Sequence, residues 1–133
     1  MQETTLSQIY EMPVEQLGAI TLLGMNKAQV CADSFSVVME VKDIHLNTFG
    51  TVHGGILYTL CDQAAGAFIA LKKLKAVGMD GTIHYYRPAK KGDILTATAY
   101  ERKSGRKTGV YFTELKDQND KLIADAMFTA MYL

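Results

Sequence analysis

The sequence predicts an α+β domain in which an antiparallel sheet curls around one long central helix. A polar, glycine-rich stretch, residues 47–55, runs directly into an apolar segment, residues 55–71, long enough for that helix. After it come four strand-like segments separated by turn residues, and before it lies one clear alternating run. Strand, helix, then a succession of strands is the order of an α+β domain with its helix on one face of a sheet. The 133 residues make a single domain, 1–133, with one core and no repeat, linker or low-complexity tract.

Residues 1–15 read as an N-terminal extension with a short helix over about 4–11, Thr4 or Thr5 as its N-cap and Pro13 as its stop. Between Leu17 and Val30 the pattern is broken by Gly18 and Gly24, and residues 19–23 fit a strand or a helical turn. The run 34–41 alternates, with Phe35, Val37, Met39 and Val41 on one side, and reads as a strand. A polar loop, 42–53, leads to the helix, expected from about Gly54 to Lys73, with Lys72, Lys73 and Lys75 suited to the negative end of its dipole. The later strands are expected near 76–87 (closed by Pro88), 93–103 (Ile94, Thr96, Thr98 and Tyr100 on one side), 107–117 and 121–132. Turns at 90–93, 103–106 and 117–120 predict an antiparallel meander.

Fourteen basic and fourteen acidic residues cancel. That balance argues against nucleic-acid binding through bulk charge. Cys31 and Cys61 lack metal-ligand or CxxC spacing and read as buried free thiols in a reducing compartment. The N-terminus has no basic start and apolar run of a secretory signal, and the segment 55–71 carries Asp62 and Gln63 near its centre. The expectation is therefore a cytoplasmic protein with no membrane contact, its helix buried rather than spanning. A helix so apolar needs cover on all sides, and one short sheet supplies only part of it, so a second subunit is expected to supply more.

Asp62 stands out, because a carboxylate buried in an apolar helix is costly unless paired, neutralised or used. The amides of Gly54 and Gly55 open the helix as unpaired donors at the positive end of its dipole, the arrangement an oxyanion hole requires. From these glycines to Asp62 is seven or eight helical steps, a rise of roughly 10–12 Å, which brings Asp62 back to nearly the face of Gly55. One carbonyl cannot touch both groups at that separation. If both act on one substrate, they come from different subunits.

Asn47, Gly50, His53-Gly54-Gly55 and Asp62 nine residues after the His resemble the hotdog-fold acyl-coenzyme A thioesterases, in their phenylacetic-acid-degradation (PaaI-like) branch. The segment 83–93, with Arg87-Pro88-Ala89 and Gly92-Asp93, resembles that branch's strand-to-turn segment, and the likeness covers about residues 40–131. The resemblance implies hydrolysis of an acyl-CoA thioester, with Asp62 as nucleophile or general base and Gly54 as the main oxyanion donor. It gives Asn47 a part in holding the attacking water or substrate, and His53 an orienting role. The alternatives are a loop Asn serving only the backbone and a structural His. Gly55 with Arg87, Lys90 and Lys91 would bind substrate, the basic groups meeting coenzyme A phosphates together with Arg102, Lys103, Arg106 and Lys107 at successive turns. Tyr58, Phe68, Tyr85 and Tyr86 suit an acyl pocket or the core.

No metal or organic cofactor is implied, since coenzyme A enters as part of the substrate. The expected assembly is a homodimer at minimum, arranged as a dimer of dimers (a homotetramer). One departure concerns water positioning. Related thioesterases often carry Ser or Thr where this chain has Gly78, and another branch carries a hydroxyl where this chain has Gly66, which leaves three expectations: simpler water positioning, substitution by Thr82 or a partner residue, or low activity. A non-catalytic acyl-CoA-binding or sensing hotdog protein is the main alternative. A DNA-binding regulator is disfavoured by the first thirty residues, which show no helix-turn-helix or basic bias. A hydratase would need a differently placed His, and a purely structural oligomer would leave Asn47, His53 and Asp62 as coincidence.

Overall fold

The computed structural model describes residues 1–133. Seven antiparallel strands form one sheet, β1 (Gln2–Thr5), β2 (Lys27–Val30), β3 (Ser34–Glu40), β4 (Ala76–Tyr85), β5 (Ile94–Ser104), β6 (Thr108–Lys116) and β7 (Leu122–Tyr132). Two short helices, α1 (Leu6–Tyr10) and α2 (Ala19–Leu22), precede β2, and the long helix α3 (Gly54–Leu71) packs against one face of the sheet. The strand order is β1-β2-β3-β5-β6-β7-β4.

Alternation explains the layers. Leu95, Ala97 and Ala99 on β5, Tyr111, Thr113 and Leu115 on β6, and Ala124, Ala126, Phe128 and Ala130 on β7 point at α3 and are buried. So many alanines on the inner face let the helix sit close to the sheet. From α3, residues Leu57, Leu60, Cys61, Ala64, Ala67 and Phe68 recur at helical spacing and fill that space. Ile94, Thr96, Thr98 and Tyr100 share the opposite, outer face, as the period of two requires.

Several expectations change. The extension is not helical from residue 4. Residues 2–5 are an edge strand paired to β2, and Thr5 then caps α1 through a capping box with Gln8. In the ambiguous stretch, 19–22 is a helical turn rather than a strand, and a strand follows separately over 27–30. Lys72, Lys73 and Lys75 lie beyond the helix end, where Lys72 pairs with Glu101 and lies 4.3 Å from the centroid of the Phe68 ring. Cys31 is only half-buried, while Cys61 is fully enclosed.

The largest correction concerns the meander, which holds for β5, β6 and β7 but not for β4. Strand β4 pairs with β7 at the far edge, leaving β5 to pair with β3. The turn expected at 90–93 forms, with the Asp93 amide donating to the Lys90 carbonyl at 3.0 Å, but it does not join β4 to β5 as a hairpin, because the chain between them first crosses the start of α3. There the Val52 amide donates to the Ala89 carbonyl at 2.9 Å, and the Tyr86 amide to that of Ile123 at 2.8 Å.

Gly81 seats β4 against the helix. A methyl group at this position would collide with the Tyr58 hydroxyl and lie 2.7 Å from the Phe128 ring, and those two rings already meet edge-on at 5.4 Å. Gly81→Ala is therefore expected to destabilise the fold by about 1–3 kcal/mol, read from urea unfolding. An unchanged urea midpoint would show that this packing yields freely.

Candidate functional site

The loop before α3 is built by Asn47. Its side-chain oxygen accepts from the amides of Phe49 (2.9 Å) and Thr51 (3.2 Å), and its Nδ2 donates to the Thr51 hydroxyl at 3.0 Å. In the protomer that side chain is committed to its own loop. His45, buried below it, receives the Lys42 amide on Nδ1 at 2.9 Å, so the proton sits on Nε2 and is donated to the Leu23 carbonyl at 2.8 Å. The His45 carbonyl then accepts from the His53 amide at 2.8 Å. These bonds fix where α3 begins.

His53 is the N-cap of α3. Its Nδ1 accepts from the Gly55 amide at 3.0 Å, which leaves the proton of the neutral ring on Nε2, on an exposed side chain. This corrects the expectation of two free glycine donors. The Gly55 N–H is taken by the cap, whereas Gly54, the first helical residue, has no acceptor for its own N–H within the helix. The Gly54 carbonyl is held from the other side by the Tyr85 hydroxyl, donating at 2.9 Å. Gly54 lines a cleft of about 340 Å³ with Val52, Leu57, Tyr85, Tyr86, Arg87 and Pro88.

Asp62 is not buried in the protomer. Gly55, Asp62 and Gly66 are the three exposed residues of α3, spaced seven and four apart, so they form one stripe on the helix surface. The Asp62 carboxylate has no ion pair, and the apolar walls around it push its pKa above the usual carboxylate range. It lies in a second cleft, of about 240 Å³, with Gly78 of β4 and Phe128 and Ala130 of β7 among its walls. Nothing lies within 4 Å of where a Gly78 side chain would begin. The adjacent Cys61 is closed off, and burial drives its thiol up to about 12, which keeps it neutral and unreactive.

The seven basic residues do not form one patch. Arg87, Lys90 and Lys91 lie at the end of the sheet where α3 starts, whereas Arg102, Lys103, Arg106 and Lys107 lie at the other end of the eleven-residue strand β5. Lys91 is paired with Asp43 at 3.0 Å, and Arg87 donates to the Leu122 carbonyl at 3.0 Å, so Lys90 is the least committed cation near Gly54. Phe68 belongs to the core; Tyr58 is half-buried against Phe128. Tyr85 and Tyr86 are half-exposed beside Gly54. Thr82 is exposed on β4 and does not line the Asp62 cleft.

Two residues were not singled out from sequence. Phe49 is 89% exposed at the tip of the loop that Asn47 fixes. Tyr10 reaches the Asp62 cleft from α1, and its hydroxyl accepts from Gln63 Nε2 at 2.9 Å. Only the shape of the fold brings the N-terminal segment there.

The Gly54 cleft and the Asp62 cleft share no lining residue. One holds a free amide at the positive end of a helix, suited to a developing oxyanion. The other holds an unpaired carboxylate with room beside it for water or an acyl group.

Residues 49–124 match the model of the thioesterase superfamily. The chain is 41% identical to the acyl-coenzyme A thioesterase PaaI of Escherichia coli over 93 residues, 69% of this chain and 66% of that protein, so the alignment spans just under two thirds of the relative. It is 32% identical to human acyl-coenzyme A thioesterase 13, over 85% of this chain and 79% of that one. The fold superposes on the E. coli PaaI structure with a TM-score of 0.82 at 31% identity, covering 96% and 93% of the two chains. It also superposes on a hypothetical thioesterase of Streptococcus pneumoniae with coenzyme A, at a TM-score of 0.75 and 30% identity over 78% and 84%.

Proposed function

The chain belongs to the thioesterase superfamily, and we propose that it hydrolyses acyl-coenzyme A thioesters to free acid and coenzyme A at sites completed by two copies of the chain. The observation that carries the proposal is the pairing of a free Gly54 amide at the start of α3 with an unpaired carboxylate at Asp62 on the exposed stripe of the same helix. Similarity to proteins named as acyl-CoA thioesterases, and to a relative solved with coenzyme A, supports the substrate class.

Strand β4 provides the means of assembly. It is ten residues long and terminal in the sheet, so one side of its backbone has no strand partner, and it exposes Val77, Met79 and Tyr85. Antiparallel pairing of β4 with its copy about a two-fold near Gly81 and Thr82 sets Gly78 opposite the partner subunit's Tyr85. Paired strands lie about 4.8 Å apart. Gly78 borders the Asp62 cleft and Tyr85 holds the Gly54 carbonyl, so this register brings the carboxylate of one protomer to the oxyanion donor of the other. The outer face, with Tyr100, Met127 and Met131 partly exposed, remains for a dimer of dimers.

In the reaction, the thioester carbonyl oxygen takes the Gly54 N–H, with the Nε2 proton of His53 at the same helix end. Water in the space beside Gly78 attacks the carbonyl carbon while Asp62 accepts its proton, and the oxyanion collapses with cleavage of the C–S bond. The coenzyme A thiolate then takes the proton back from Asp62. Direct attack by the carboxylate, through a mixed anhydride, is the other route open to the same geometry. Lys90 and Arg87 stand at the mouth for phosphate, with Gly55 giving close backbone approach. Asn47 acts by holding the loop. The free thiols of Cys31 and Cys61 suit a cytoplasmic setting.

The test is thiol release from aryl, short-chain and long-chain acyl-CoAs. Hydrolysis of at least one is expected. No hydrolysis, with acyl-CoA bound, would favour the sensing role instead. The open space at Gly78 gives a second expectation: Gly78→Ser folds normally and raises kcat several-fold, about threefold or more, by holding the attacking water. A fall in kcat would mean that the space serves the acyl group rather than water.

A further inference from the structure

We propose that Tyr10 divides a two-chamber acyl channel and so sets the length of acyl chain this protein accepts, an inference that rests on the thioesterase reading above. The inner chamber, about 240 Å³, holds Asp62. A larger one, about 490 Å³, lies beside it along α3 toward Leu74. Tyr10, Gly66, Ile69 and Ala76 line both chambers, which therefore adjoin with these side chains as the wall between them.

Tyr10 stands at the junction, and it is held there. Its hydroxyl accepts from Gln63 Nε2 at 2.9 Å, and Gln63 is the neighbour of Asp62 in sequence. Gly66 faces it one helical turn on from Asp62, where a side chain would first meet the Tyr10 hydroxyl at 3.8 Å. Burial and the charge of Asp62 both push the Tyr10 phenol above its ordinary pKa, which fits a neutral hydroxyl facing the inner chamber.

The outer chamber has the chemistry of an acyl-chain site. Ile9, Ile69, Ala70, Leu74 and Ala76 make its walls apolar, and its charges, Glu11, Lys73 and Lys75, come from the segments after α1 and α3. Pockets for small molecules run from about 300 to 1,000 Å³. The inner chamber alone falls below that range and suits a short or single-ring acyl group. Joined to the outer chamber, it falls within the range, and an alkyl chain entering gains about fourfold in affinity per buried methylene. The Tyr10–Gln63 hydrogen bond keeps the two apart.

Propionyl-, benzoyl- and dodecanoyl-CoA distinguish the outcomes, each measured as kcat/KM. Tyr10→Ala is expected to raise the dodecanoyl-to-propionyl ratio by about tenfold, and Gln63→Ala, which releases the ring without touching α1, by about threefold. Ala70→Trp in the Tyr10→Ala background fills the outer chamber and is expected to return the ratio toward that of the unaltered protein. A ratio unchanged within roughly twofold in both opening variants, with hydrolysis intact, overturns the partition and leaves the thioesterase reading standing. If the unaltered protein hydrolyses none of the three, the thioesterase reading is what fails. The channel is then judged by calorimetry with dodecanoate, which Tyr10→Ala should bind about tenfold more tightly if the chambers join, and no more tightly if they do not.

Discussion

Replacing Asp62 with asparagine is expected to remove about a thousandfold of kcat and to raise the melting temperature at neutral pH. The two effects share one cause. Apolar walls around the carboxylate raise its pKa, and no cation offsets them. The folded chain thus holds the Asp62 proton to higher pH than the unfolded chain does. Stability from that proton is complete below the unfolded carboxylate range and is lost as pH rises through the folded value. At neutral pH the ionised group opposes folding, and asparagine, isosteric and uncharged, relieves it. At a pH below the unfolded value both proteins carry a neutral side chain and their melting temperatures should converge. The same shift places the acid limb of kcat above the ordinary carboxylate range, since either role for Asp62 needs the ionised form. Thiol-release kinetics across pH and thermal unfolding at two pH values read all three. A variant with undiminished kcat would remove Asp62 from the chemistry; one with lowered melting temperature at neutral pH would mean the carboxylate is paired in the assembly.

The helix and the later strands were legible because their periods are strong and local. Strand β1 was not, because residues 2–5 are polar and sit at an exposed edge, so no hydrophobic alternation marks them. The place of β4 was hidden for a different reason. Its partner, β7, lies some forty residues later in sequence, and no turn between them records the pairing. At the site, residue types and spacing located Gly54 and Asp62, but the exposure of each depended on the turn of the helix. Asp62 looks buried among apolar neighbours in sequence, yet it falls on the stripe with Gly55 and Gly66. The loss of the Gly55 donor follows from a cap two residues upstream, which His53 in the N-cap position could have signalled. Basic residues close in sequence were sent to opposite ends of β5 by the strand between them. The Tyr10–Gln63 contact spans 53 positions and had no local signature at all.

Mixing two inactive chains should restore about a quarter of the normal activity if each site draws Asp62 from one protomer and Gly54 from the other. One chain is Asp62→Asn. The second is Gly54→Pro, which removes the oxyanion N–H at the one helical position where proline fits well. Gly54 is the first residue of α3, where proline costs no intrahelical bond. His53 before it already has φ −58° and ψ 134°, the extended geometry that a residue preceding proline prefers. The new Cβ would lie 3.1 Å from the Tyr85 hydroxyl and 3.2 Å from its Cζ, so that ring, 51% exposed, has to shift by only a few tenths of an ångström. Alone, Gly54→Pro should keep its helix content and lose about 10²–10³ in kcat, the usual effect of one missing oxyanion donor. In a random mixture, half the sites draw Asp62 from the proline chain, and half of those draw Gly54 from the asparagine chain. No activity would return if both groups acted within one chain, because every chain would carry a defect. The eight helical steps between Gly54 and Asp62, a rise of about 12 Å, already argue against that arrangement.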